Sequence, residues 1–170
     1  MIVSMGLDTG SKLVGWGVVA GGDGELKYIN SGIIQLNENL RHPFRMARLF
    51  GQIGDLISMF KPDRVTIEEM SSMRNQKVVK ILHGYITTAT LASMMVGKIE
   101  PQILAVHTVM ARIGVKALSP QQKKGKAKGE VSRIGKSRIR TVVNAQFDLD
   151  ITAEEQDRAD ALAIALAGLG

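Results

Sequence analysis

The chain has no cysteine, only three histidines, and no uninterrupted apolar run near the roughly 20 residues that a bilayer crossing needs. The first absence excludes disulfides, thiolate metal sites and cysteine nucleophiles. His42, His83 and His107 are too few and too scattered to suggest a histidine-rich zinc cluster, so any metal is expected to sit on oxygen. The opening Met-Ile-Val-Ser-Met lacks the basic start and apolar stretch of a signal peptide. A soluble, cytoplasmic protein with no membrane partner is therefore expected. At 170 residues the chain fits one domain with a proper core and is too short for two full lobes around a cleft. Hydrophobic residues at 45% and charged residues at 22% are ordinary globular values, which excludes wholesale disorder and a fibrous chain.

What is present is a localised excess of positive charge. Between Gln121 and Arg140 stand Lys123, Lys124, Lys126, Lys128, Arg133, Lys136, Arg138 and Arg140, opposed only by Glu130. That stretch carries +7 of a formal net charge of +6, leaving −1 for the rest. Such a segment is the footprint of a polyanion, because each lysine that neutralises a phosphate releases condensed counterions. A solvated loop whose lysines only aid solubility is the competing reading. A membrane surface fits less well, since almost no large apolar residues are interleaved.

Residues 2–8, 13–20 and 26–36 are rich in Val, Ile, Leu and Tyr and are divided by Thr9-Gly10-Ser11 and Gly21-Gly22-Asp23-Gly24, which predicts an antiparallel meander. Met46, Leu49, Phe50, Ile53, Leu56, Ile57 and Phe60 recur at three- and four-residue steps, predicting an amphipathic helix that ends at Lys61-Pro62. Val65-Thr66-Ile67-Glu68 reads as a buried strand joined by a helical crossover. A second helix is predicted over 75–96 and a strand over 102–106. Residues 114–133 hold glycine, lysine, serine and proline with little periodicity, so a basic, mobile loop is expected at about 117–135. Helical spacing returns from Ser137 to Phe147. A last helix spans Thr152 to Leu169, with Thr152 and Glu155 placed as a capping pair and Ala159, Leu162, Ala163 and Leu166 facing the core. Met46, Met59, Met94 and Met95 fit helical core stripes, and Trp16 a packing role. His83 and His107 are expected to be satisfied within the fold.

Four carboxylates fall where a sheet protein would gather them. Asp8 ends the first strand in Gly6-Leu7-Asp8-Thr9-Gly10, where glycines allow a sharp turn and close approach of a phosphate or metal. Glu68 ends Val65-Thr66-Ile67, and Asp157 and Asp160 are three apart at the start of the last helix, on one face. Converged, they would repel one another without cations, and hard oxygen donors suit Mg²⁺ or Mn²⁺. Two ions roughly 4 Å apart would activate a water and stabilise the leaving oxygen in phosphodiester hydrolysis. Taken singly, each acid also has a plain role: Asp8 as a turn initiator, Asp157 and Asp160 as partners of the helix dipole, Glu68 and Glu69 as flanks of a surface turn.

Gly6-Leu7-Asp8-Thr9-Gly10-Ser11, Gly15-Trp16-Gly17-Val18-Val19, Thr66-Ile67-Glu68-Glu69 and Asp157-Arg158-Ala159-Asp160-Ala161-Leu162-Ala163-Ile164-Ala165 resemble, in order and spacing, the motifs of the RuvC family of Holliday-junction resolvases. Within that family the chain looks most like the RuvC-type enzymes encoded by lactococcal phages. The resemblance implies an α/β, ribonuclease-H-like fold with a central five-stranded mixed sheet and helices on both faces. It also implies a homodimer that cuts branched DNA with Mg²⁺, with Asp8, Glu68, Asp157 and Asp160 as the metal-binding acids. Glu69, standing where the cellular family has glutamine, is a further candidate ligand. Lys123, Lys124, Lys126, Lys128, Arg133, Lys136, Arg74 and Lys77 are the candidate DNA contacts, with Lys136 foremost. Val78, Leu82 and Tyr85 on the second helix are the candidate subunit interface.

Where cellular enzymes carry a base-stacking aromatic after the strand glutamate, this chain reads Met70-Ser71-Ser72-Met73. Stacking is worth about 1–3 kcal/mol per base, so broad cutting of junctions and forks is expected. A phosphotransferase of the actin and sugar-kinase type shares the Asp-x-Gly turn but needs a second lobe to hold a nucleotide, so no nucleotide cofactor is expected. A non-catalytic branched-DNA binding protein is the alternative function.

Overall fold

The computed structural model describes residues 1–70 and 75–170. Three strands, β1 (Ile2–Thr9), β2 (Leu13–Gly22) and β3 (Glu25–Gln35), form the antiparallel meander. Asp23 and Gly24 both take positive φ, 53° and 80°, the pair of left-handed residues that a tight hairpin needs between twisted strands. The first helix, α1 (His42–Phe60), buries Leu49, Ile53 and Ile57 at four-residue steps. Lys61 ends it in the left-handed region, donating its N–H to the Ile57 carbonyl at 2.8 Å, and Pro62 then bars continuation.

Strand β4 (Arg64–Glu68) returns parallel to β1, and β5 (Gln102–Leu104) lies parallel to β4, giving the order β3-β2-β1-β4-β5. Between them runs α2 (Gln76–Ala92), capped by the Asn75 side chain, which accepts from the N–H groups of Lys77 and Val78. It passes into a π-helical turn, Ser93–Gly97. The expected strand over 102–106 stops at Leu104, and a short helix, α3 (Val106–Arg112), follows directly.

Strand alternation sorts side chains onto two faces. Met5 and Leu7 of β1, Val14 and Val18 of β2, and Val65 and Ile67 of β4 join one core cluster with α1 and α2. Ser4, Gly6 and Asp8 therefore point the other way, toward a second cluster built from α3, α5 (Lys128–Phe147) and α6 (Gln156–Ala167). Asp8 and Glu68 share that second face, on neighbouring parallel strands.

Several expectations change. Part of the predicted basic loop at about 117–135 is helix: α4 spans Pro120–Lys123 and α5 already starts at Lys128. Val131, Ile134, Ile139 and Val143 carry the apolar stripe through the lysines, and the Lys126–Glu130 ion pair at 2.9 Å spans its first turn. Met59, Met94 and Met95 lie on the surface rather than in a core stripe, while Met46 packs against the core. His83 and His107 are also exposed. Trp16 packs as expected, its ring centroid 5.6 Å from that of Phe60. Leu82 and Tyr85 are both buried within one chain, Tyr85 in the core with α1 and Leu82 in the wall of a cleft shared with Asp8 and Glu68, so the subunit-interface expectation is corrected for both. Val78 is half-buried.

Candidate active site

The position of α6 decides the site, and three strand glycines decide the position of α6. A Cβ on Gly15 would stand 2.1 Å from the carbonyl oxygen of Asp157, one on Gly6 2.2 Å from that of Ala161, and one on Gly17 2.8 Å from the Leu162 nitrogen. Side chains at these positions would lift the helix off the sheet. The helix is also buried almost all round, from Ala159 through Ala165, which small alanines permit. Gly6, expected to serve a turn, instead serves this close contact. Ser4 Oγ adds a bond of 2.7 Å to the Ala165 carbonyl.

So docked, α6 brings Asp157 and Asp160 to Asp8: one carboxylate oxygen from each lies within 4.8 Å of the others. Glu68 faces the same cleft, about 220 Å³ in volume, from the end of β4, outside that trio. Exposed Glu69 is at its rim, its N–H bonded to the Leu104 carbonyl at 2.8 Å. Lys136, from α5, places Nζ 2.9 Å from Asp160 Oδ2. Lys77, Lys123, Lys124, Lys126, Lys128 and Arg133 are exposed, and none of them lines the cleft. Arg74, and Ser71 to Met73, lie outside the described residues.

The electrostatics follow from this crowding. Burial, then the charges of Glu68 and Asp160, push Asp8 well above the usual carboxylate range, and Lys136 offsets only part of this. Burial and the Asp160 charge push Glu68 up to about 7. Asp160 is raised by burial against the opposing pull of Lys136 and Gln156. Burial alone would lower Lys136, but its bond to Asp160 and the charges of Asp160, Asp8 and Asp157 together hold it above its ordinary value. Desolvated carboxylates that repel one another and await positive charge fit a hard divalent cation such as Mg²⁺.

Gln156 is a residue that sequence reasoning missed. Its Nε2 donates to Asp160 Oδ1 at 2.8 Å and to the Lys136 carbonyl at 3.1 Å, while its Oε1 accepts from Arg140 Nη1 at 2.6 Å. Both oxygens of Asp160 are thus held from α5 and from one turn back on its own helix. The i, i+4 spacing of Gln156 and Asp160 was the available signal. Arg158 fastens the start of α6 to the sheet by bonding Glu155 and, through Nε and Nη2, Ser31 Oγ at 3.2 Å.

The family model described as "Crossover junction endodeoxyribonuclease RuvC" matches residues 4–168. The protein of that description from Caldicellulosiruptor saccharolyticus is 26% identical over 163 residues, covering 95% of this chain and 89% of that protein. Its counterpart from Rubrobacter xylanophilus is 29% identical over 164 residues, covering 96% and 83%. A solved structure described as T. thermophilus RuvC in complex with Holliday junction substrate superposes with a TM-score of 0.78 over 98% of this chain and 92% of that one. At 17% identity that likeness speaks for the fold, which is α/β and ribonuclease-H-like. With the family model matched from the first strand to the end of the last helix, this chain belongs to the crossover junction endodeoxyribonuclease RuvC family.

Proposed function

We propose that this chain is a Mg²⁺-dependent endonuclease that cuts Holliday junctions and other branched DNA. The observation that carries the reading is the meeting of Asp8, Asp157 and Asp160 within 4.8 Å, from chain positions some 150 residues apart, in a member of this family. Gathering three mutually repelling carboxylates, one buried and two half-buried, is costly, and a bound cation is the direct compensation. Asp8, Glu68, Asp157 and Asp160 would hold the metal, two ions per site, with Mn²⁺ as a substitute and Glu69 as an added ligand at the rim. Bound there, such ions lower the pKa of a water and offset charge on the phosphate.

The chain's own groups orient and neutralise. Gln156 and Lys136 fix the two oxygens of Asp160, and the Lys136 ammonium at the cleft edge offers positive charge where the phosphate's charge grows during attack. Lys123, Lys124, Lys126, Lys128 and Arg133, on α4, α5 and the segment joining them, with Lys77 at the start of α2 and Arg74, engage the DNA backbone. A two-fold homodimer carrying two such sites would make paired, symmetric nicks across a four-way junction, and Val78 remains a candidate for that interface. No described helix is long and apolar enough to cross a membrane. We place the activity in the bacterial cytoplasm, where such DNA would be met.

The test incubates the protein with labelled four-way junctions, three-way forks and linear duplexes, in Mg²⁺, Mn²⁺ or chelator, beside Asp8→Asn. Cleavage of branched substrates only with metal, and only by the wild type, is expected. Binding without cutting in every metal would replace the nuclease by a branched-DNA binding protein.

A further inference from the structure

A second polar cavity, about 230 Å³, opens where the end of β3 meets the first turns of α1. Arg45 and Arg48 line it with the amides of Gln35, Asn37 and Gln52, and no carboxylate does. Arg45 Nε is a buried donor with no hydrogen-bond partner among the described residues, an arrangement native proteins avoid unless something else supplies the acceptor. Neither arginine forms an ion pair among the described residues. Glu38, seven residues before Arg45, is already engaged by Lys12 at 3.1 Å. Two guanidinium groups and three amides around an empty space are the chemistry of a phosphate site.

Its place in the sheet says which phosphate. Asp8 pairs with Gly15, Gly15 with Ile33, and Gln35 lies two residues beyond Ile33, at the catalytic end of the strands. Two strand spacings sideways and two residues along put Gln35 roughly 12 Å from Asp8, the span of a few nucleotides of backbone, while Arg45 and Arg48 reach the same end of the sheet from α1, on the face opposite Asp8. Resting on the reading of this chain as a branched-DNA nuclease, we propose that the Arg45–Arg48 cavity holds a backbone phosphate of the substrate away from the scissile bond. It would fix how the DNA lies across the acidic cleft and add affinity independent of metal and of base sequence.

The test measures binding of a labelled four-way junction in chelator, over a range of salt, for wild type, Arg45→Gln, Arg48→Gln and Lys27→Gln. Lys27 is exposed near the β2–β3 hairpin, at the opposite end of the sheet, and controls for the loss of any one positive charge. Each arginine variant is expected to weaken binding about tenfold at low salt and to flatten the dependence of log K on log salt by about 1. Lys27→Gln should match wild type. Arg48 is exposed, so its replacement leaves the fold intact even if that of Arg45 does not. Wild-type slopes in both arginine variants would overturn the proposal. So would a melting temperature raised by inorganic phosphate in wild type but not in Arg48→Gln, with unchanged slopes, since that would assign the cavity to a free anion. Cleavage by wild type in Mg²⁺ is scored separately: a protein that cuts but shows no slope change loses this site only, and one that neither binds nor cuts loses both readings.

Discussion

A carboxylate drawn out of water keeps its proton longer, and Glu68 is where this can be measured. Burial first, and the charge of Asp160 second, lift it from about 4.5 to about 7. The folded chain therefore holds a proton between those values that the unfolded chain has released. The resulting contribution to stability is complete below about pH 4.5 and is lost as pH rises through 7. In chelator, the melting temperature of wild type should fall over that window, and Glu68→Gln should flatten the fall without abolishing it, because Asp8 and Asp160 are raised in the same sense. Parallel melting curves for the two proteins against pH would show that Glu68 keeps an ordinary environment. The four acids were legible in the sequence because each ends a strand or begins a helix. Gln156 was not: its i, i+4 spacing from Asp160 was the one local signal, and its bonds to Lys136 and Arg140 arise only once α6 lies against α5.

At the scale of elements, the contact of α6 with the sheet makes one substitution act in opposite directions at two sites. Gly15→Ala drives a methyl group to 2.1 Å from the Asp157 carbonyl oxygen, so the helix must shift. A loss of at least about 2 kcal/mol in urea unfolding is expected. Gly129→Ala, on α5 with nothing near its Cβ position, should gain roughly 0.5–1 kcal/mol from helix propensity. Equal effects at the two positions would contradict the close packing. The Gly-Trp-Gly run was visible as a motif, but its purpose was not, because the helix it accommodates lies some 140 residues further on. The early start of α5 was hidden for a different reason. Glycines and a dense run of lysines blur a helical period that Val131, Ile134 and Ile139 keep, and burial of Ile139 and Val143 against the core stabilises what propensity alone would leave marginal.

For the whole molecule, the proposed metal site would make folding and cation binding one equilibrium. An ion that binds only the folded chain, present at 100 times its dissociation constant, adds about 2.7 kcal/mol, or roughly 5–10 °C in melting temperature for a chain of this size. Mg²⁺ should raise the wild-type melting temperature by that order against NaCl of matched ionic strength, and Asp8→Asn should lose most of the rise. An equal rise in both proteins would point to general screening of charge. The sequence by itself determined the strands, the main helices, the acids at their ends and the family, because periodicity, turn chemistry and motif order are properties of neighbouring residues. Only the tertiary structure decided that Leu82 and Tyr85 are buried within one chain, that Gly6, Gly15 and Gly17 seat α6, and that Arg45 and Arg48 share a cavity with the end of β3. Each of these depends on contact between residues far apart in the chain, and such contacts arise only when the faces of the sheet are covered.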